Sequence, residues 1–78
     1  MSELWRVSDN RWHLYIDAEH KREIRNIKRS RSWEIVATYE KNGRVIAYQY
    51  AVPDFEYRKA KRIENRINES CIYEHKTA

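Results

Sequence analysis

AEHKREIRNIKR, residues 18–29, can be read as a helix or as a strand, and the choice sets the topology of the whole chain. Its alanine, glutamate, lysine and arginine favour a helix, with Asp17 placed to cap it. At helical spacing only His20, Ile24 and Ile27 could face a core, which is a thin stripe. As a strand over 22–28, the segment puts Ile24 and Ile27 on opposite faces, which suits a charged edge strand. The helix gives ββαββα. The strand gives a five-strand meander followed by one helix, and this is the preferred reading, because a chain this small closes its sheet most simply that way.

The segments on either side are less ambiguous. WEIVATYE (33–40) and RVIAYQYAV (44–52) flank KNG. Asn-Gly between alternating runs signals a two-residue hairpin turn, because both central residues need positive φ. With Asn42-Gly43 at the centre, Tyr39 faces Ile46, Ala37 faces Tyr48, Ile35 faces Tyr50 and Trp33 faces Val52. Those eight share the larger, aromatic face. A second hairpin joins strands at about 3–7 and 11–17 through Asp9-Asn10. It pairs Trp5 with Leu14 and Val7 with Trp12, on one face with Ile16. After Pro53, a helix over 54–70 is capped by Asp54 and carries the stripe Ala60, Ile63, Ile67 and Cys71.

The expected fold class is therefore α+β: a small antiparallel sheet of four to five strands packed by a C-terminal helix. In element order the meander resembles the SH3-like barrels of small archaeal chromatin proteins and chromodomains. That resemblance is one of architecture, with no residue motif to carry over, and no function follows from it.

The 78 residues form a single domain spanning 1–78. A domain this small buries only about 60% of its unfolded surface, so it is expected to be marginally stable, and a homodimer is open to it. A single cysteine excludes an internal disulfide and fits a reducing, cytoplasmic location. Neither a signal peptide nor an apolar run long enough to span a bilayer is present, so no membrane is expected.

The net charge of +4 is unevenly spread. KREIRNIKRSRS, residues 21–32, holds six basic residues and one acidic one; without it the chain would be slightly acidic. Clustered charge of one sign is the footprint of a polyanion-binding surface. Lys21, Arg22, Arg25, Lys28, Arg29 and Arg31 are the expected phosphate contacts, and arginine suits phosphate geometry. Arg58, Lys59 and Arg62, on the wet face of the last helix, are secondary contacts. The bland reading of both groups is solvated surface, with Glu19 and Glu23 pairing locally.

The aromatic residues are read chiefly as core, with Tyr15 and Tyr39, near strand ends, as candidates for base stacking. His13, His20 and His75 show no metal-ligand spacing, and Cys71 reads as a small buried hydrophobe. No catalytic residue, metal or cofactor is expected. The sequence thus points to a small non-enzymatic nucleic-acid-binding protein, for DNA or RNA. The alternative is a small inhibitor or adaptor, of the kind mobile elements encode, that engages an acidic protein partner.

Overall fold

The computed structural model describes residues 2–30 and 32–77, with side-chain placement as far as Glu69. Strands β1 (Ser2–Ser8) and β2 (Arg11–Asp17) are followed by helix α1 (Lys21–Ser30). Strands β3 (Glu34–Lys41) and β4 (Arg44–Pro53), a 3-10 turn (Asp54–Glu56) and helix α2 (Tyr57–Thr77) complete the chain. The sheet has four strands in the order β1-β2-β4-β3, all neighbours antiparallel. The fold is α+β, with an open sheet and a C-terminal helix, and it is not a closed barrel.

The five-strand meander is not formed, because residues 21–30 are helical. Burial decides this. A strand would divide Ile24 and Ile27 between two faces, whereas a helix sets them three apart on one side. Ile27 is buried and Ile24 packs against the core. Since β2 and β3 both run antiparallel to β4, they are parallel to each other, and α1 is the crossover that parallel strands require. His20, not Asp17, stands at the N-cap position: its carbonyl accepts the first helical bond, from the Ile24 N–H at 3.1 Å.

The core lies between one sheet face and the two helices. Leu14, Ile16, Tyr50, Val52 and Trp33 meet Ile27 of α1 and Ala60, Ile63 and Ile67 of α2. The stripe of α2 is as expected through Ile67, and Cys71 lies outside the described side chains. Asp54 does not cap a helix; it sits in the 3-10 turn, and its carboxylate accepts the Trp12 indole N–H at 2.9 Å. Trp33 donates likewise to Glu56 at 2.9 Å. The far part of α2 is tied to β1 by Asn68, whose amide accepts from the Ser2 N–H at 3.0 Å and donates to the Ser2 carbonyl at 3.2 Å.

Both hairpin registers depart from simple alternation. In the first, Trp5 pairs with His13 and Leu4 with Leu14, because the register shifts between Arg6 and Ser8. Val7 is the extra residue, so Trp5 turns away from the core and Leu4 turns in. In the second, the expected pairs hold at both ends, Glu40 with Val45 and Ile35 with Tyr50. Between them Tyr39 pairs with Ala47 and Ala37 with Gln49. Ile46 is extra on β4 and Val36 on β3, and the two shifts cancel. Bulges add twist and are commonest at sheet edges. Here they turn Tyr39 from the core face and set Ile46 aside as an extra residue, while Ile35, still opposite Tyr50, is exposed at the sheet edge; all three depart from the core assignment made from alternation alone.

The Asn42-Gly43 turn forms as expected, with φ of +56° and +76°. A Cβ on Gly43 would meet no atom within 4 Å, so substitution strains the backbone alone. Gly43→Val should lower stability by roughly 1–2 kcal/mol, measured by thermal or urea unfolding, while Asn42→Gly changes it by less. An unchanged melting midpoint in Gly43→Val would contradict this turn.

Candidate nucleic-acid interface

α1 rests on the core by a narrow side and turns the rest to solvent. Lys21, Arg22, Arg25, Lys28 and Arg29 are all exposed. At 3.6 residues per turn these five fall within an arc of about 120°, opposite Glu23 and Ile27. Neighbours three or four apart on this helix lie about 5–6 Å from one another, within the roughly 8 Å screening length of physiological salt, and repel. No ion pair holds any of them among the described residues. Arg31 lies outside those residues.

The helix dipole accounts for part of this pattern only. Lys28 and Arg29 lie in the last turn, where cations are favoured. Lys21 and Arg22 lie in the first turn, at the positive end, where cations are disfavoured. Glu23, read from sequence as pairing locally on solvated surface, is instead buried, and Arg66 Nη1 reaches its two carboxylate oxygens at 3.0 and 3.1 Å. The one acidic side chain of α1 is thus neutralised from α2, and the outer face is left wholly basic.

α2 contributes unevenly. Lys59 is paired with Glu56 at 3.3 Å. Lys61 is paired with Glu64 at 2.8 Å, and that bond holds its ammonium above the ordinary lysine range. Arg58 and Arg62 make no ion pair among the described residues. Arg62 and Lys59 line a groove between the helices, with Asn26 and Ser30 on the α1 side and Ile27 and Ile63 also in its wall. Arg58 lies outside this groove, lining one depression with Arg6, Trp12 and Phe55 and another with Arg62 and Arg66. The structure therefore brings Arg62 and Lys59 beside the end of α1 and does not bring Arg58 there. Sequence reading missed the pairing of Arg66, a member of the same basic row as Arg58 and Arg62, with Glu23, 43 residues away. It also missed Phe55, which is 87% exposed and carried no sequence signal apart from its place after Pro53.

The opposite sheet face is uncovered by either helix. By register it carries Glu3, Trp5, His13, Tyr15, Asp17, Ala37, Tyr39 and Gln49. Tyr39 Oη donates to Gln49 Oε1, whose amide Nε2 lies 2.7 Å from His13 Nδ1. The Trp5 ring meets His13 edge-on at 6.0 Å, and Tyr15 meets Tyr39 edge-on at 5.5 Å. Tyr15 and Tyr39, the stacking candidates, are thus engaged with each other on the side away from the basic helices. Tyr48 and Tyr50 belong to the core side.

Asp17, Glu19 and His20 bring three ligand atoms within 4.8 Å of one another. Asp17 and His20 already have partners within the chain, and Glu19 is exposed, so the group is accounted for by the turn entering α1. No helix among the described residues is long and apolar enough to cross a membrane. Comparison with known protein families, with curated proteins and with solved structures finds no match.

Two phenols are pushed above their ordinary value of 10.0: Tyr15 by desolvation and then by Asp17, and Tyr50 by desolvation and then by Tyr48. Their raised values mean that the folded state resists ionisation. The stability this leaves in place is full below pH 10.0 and declines as pH rises through the raised values. An ultraviolet phenolate titration should show a late-ionising component, with Tyr50→Phe and Tyr15→Phe each removing part of it.

Proposed function

We propose that this protein is a small non-enzymatic nucleic-acid-binding domain that grips phosphates with the outer face of α1. Lys21, Arg22, Arg25, Lys28 and Arg29 make the primary contacts, and Arg62 extends them across the groove. Lys59, already paired, and Arg58, outside the groove between the helices, contribute less. The observation that supports this is the unpaired state of five cations on one short helix face, two of them placed against the helix dipole. Solubility alone is served by mixed charge and does not call for this arrangement. The contacts described are to the backbone, which gives affinity without base readout. A DNA or RNA ligand and a cytoplasmic site of action belong to the same reading.

The reading is tested by electrophoretic shift of a generic duplex and a single strand across a salt series. Binding should weaken steeply with salt, and Arg25→Ala with Arg29→Ala should flatten the log–log slope by roughly 1.4 to 1.8, at about 0.7–0.9 per lost contact. The loss should be similar for unrelated sequences, while Lys59→Ala changes the slope by less. Absence of a shift even at low salt defeats the proposal. Capture of an acidic protein, abolished by the same double substitution, would then favour the adaptor reading.

The Glu23–Arg66 pair gives a separate prediction. Arg66→Ala leaves a buried carboxylate unpaired and should lower stability by about 1–3 kcal/mol, measured by urea unfolding. Glu23→Gln in the same chain should recover part of that loss. The buried charge is then gone.

A further inference from the structure

β3 is an edge strand with charged ends and a bulge at Val36 but without proline or a covering element. It pairs with β4 on one side and with no strand on the other among the described residues. Its N–H and C=O groups on the free side form a template for another strand, which proteins normally blunt with proline, short length or a covering element. β3 has eight residues and no proline, and neither helix makes more than marginal contact with it. The other edge, β1, is packed by α2. Apolar side chains crowd the open edge: Ile35 is 48% exposed, Val36 42% and Tyr39 41%, with Val45 at 37% and Ile46 at 42% on the adjoining strand.

We propose that β3 pairs antiparallel with β3 of a second copy, about a two-fold axis at Thr38, so that one continuous sheet runs through a homodimer. In this register Thr38 lies opposite the partner's Thr38, Ala37 opposite the partner's Tyr39, and Glu34 opposite the partner's Lys41. The small Ala37 leaves room for the tyrosine ring, and the threonines form a favourable cross-strand pair. Glu34 and the partner's Lys41 make an ion pair that occurs twice by symmetry.

The bulge makes this register possible. In a regular strand, residues seven apart point to opposite faces. Val36 is an extra residue in β3, so Glu34 shares a face with Ala51, and Ala37, Tyr39 and Lys41 follow on that same face. Antiparallel partners must share a face, and with Val36 set aside every pair named here does so. Ile35 then lies opposite the partner's Glu40, and the strand is complementary to itself in size at Ala37 with Tyr39 and in charge at Glu34 with Lys41, which singles out a second copy as its partner. A two-fold axis normal to the sheet also turns the helices of both copies to one side. The interface rests on β3 alone and does not depend on the nucleic-acid reading.

The test is sedimentation equilibrium of the full chain, with circular dichroism as the check on folding. The native chain should self-associate at submillimolar concentration. Glu34→Lys and Lys41→Glu should each weaken association about tenfold, since each sets two like-charged pairs across the axis. Mixing the two variants should restore it, because the mixed dimer again pairs opposite charges. The two positions lie roughly 20 Å apart along one strand, so no compensation inside a single chain can imitate that rescue. Thr38→Arg, which opposes itself at the axis, should abolish association and serves where a charge reversal disturbs folding. A native chain that stays monomeric, reversals without effect, or a mixture as weak as either variant alone would each overturn the proposal.

Discussion

A four-stranded sheet with one strongly apolar face must have that face covered, and two helices are what this chain has to cover it. Leu14, Ile16, Tyr50 and Val52 line the sheet side. α2 brings Ala60, Ile63 and Ile67, whereas α1 brings Ile27 with Ile24 beside it. Full burial of an aliphatic side chain stabilises by about 1.5–3 kcal/mol, so α1 is held by little hydrophobic contact. The Glu23–Arg66 pair therefore matters beyond its own strength: it joins the weaker helix to the stronger one and gives a largely buried carboxylate its partner. The indole bonds of Trp12 and Trp33 to Asp54 and Glu56 do similar work at the start of α2, fixing the chain as it leaves the sheet.

The same economy shapes the charge distribution. A helix that needs only a narrow apolar stripe is free to be polar elsewhere, and α1 uses that freedom almost entirely for cations. α1 carries five cations and one carboxylate, and residues 57–77 carry six and three. The four strands together carry four of each sign. Positive charge is thus gathered in the helical layer, while the sheet is neutral. The proposed phosphate contacts follow from that partition. The aromatic face of the sheet lies on the far side, where Glu3 and Asp17 flank Tyr15. Phosphate contact and base stacking on Tyr15 or Tyr39 would therefore fall on opposite sides of the protein.

Much of this was legible along the chain. Asn42-Gly43 set a hairpin turn because few other pairs tolerate positive φ twice in succession, and the stripe of α2 followed from spacing alone. The basic cluster was visible because it is contiguous. The burial of Glu23 was not, since its partner lies on another element, and no local rule distinguishes a glutamate on a helix surface from one beneath it. The bulges at Val7, Val36 and Ile46 were hidden for a related reason. Alternation specifies which residues can share a face only while the count on both strands stays equal, and an inserted residue reverses the assignment beyond it.

Fold class, the hairpin turn, the C-terminal helix and the concentration of positive charge were determined by the sequence itself, because each depends on neighbours within a few residues. The state of residues 18–29 was decided only by tertiary structure. Their composition permits helix or strand. The choice between them turns on whether Ile24 and Ile27 can be buried together, which requires the sheet face and α2 to be in place. The unpaired condition of the α1 cations and the open edge of β3 were decided at the same level. Each depends on which groups approach through space: Arg66 reaching Glu23, and, among the described residues, no strand pairing with the free edge of β3.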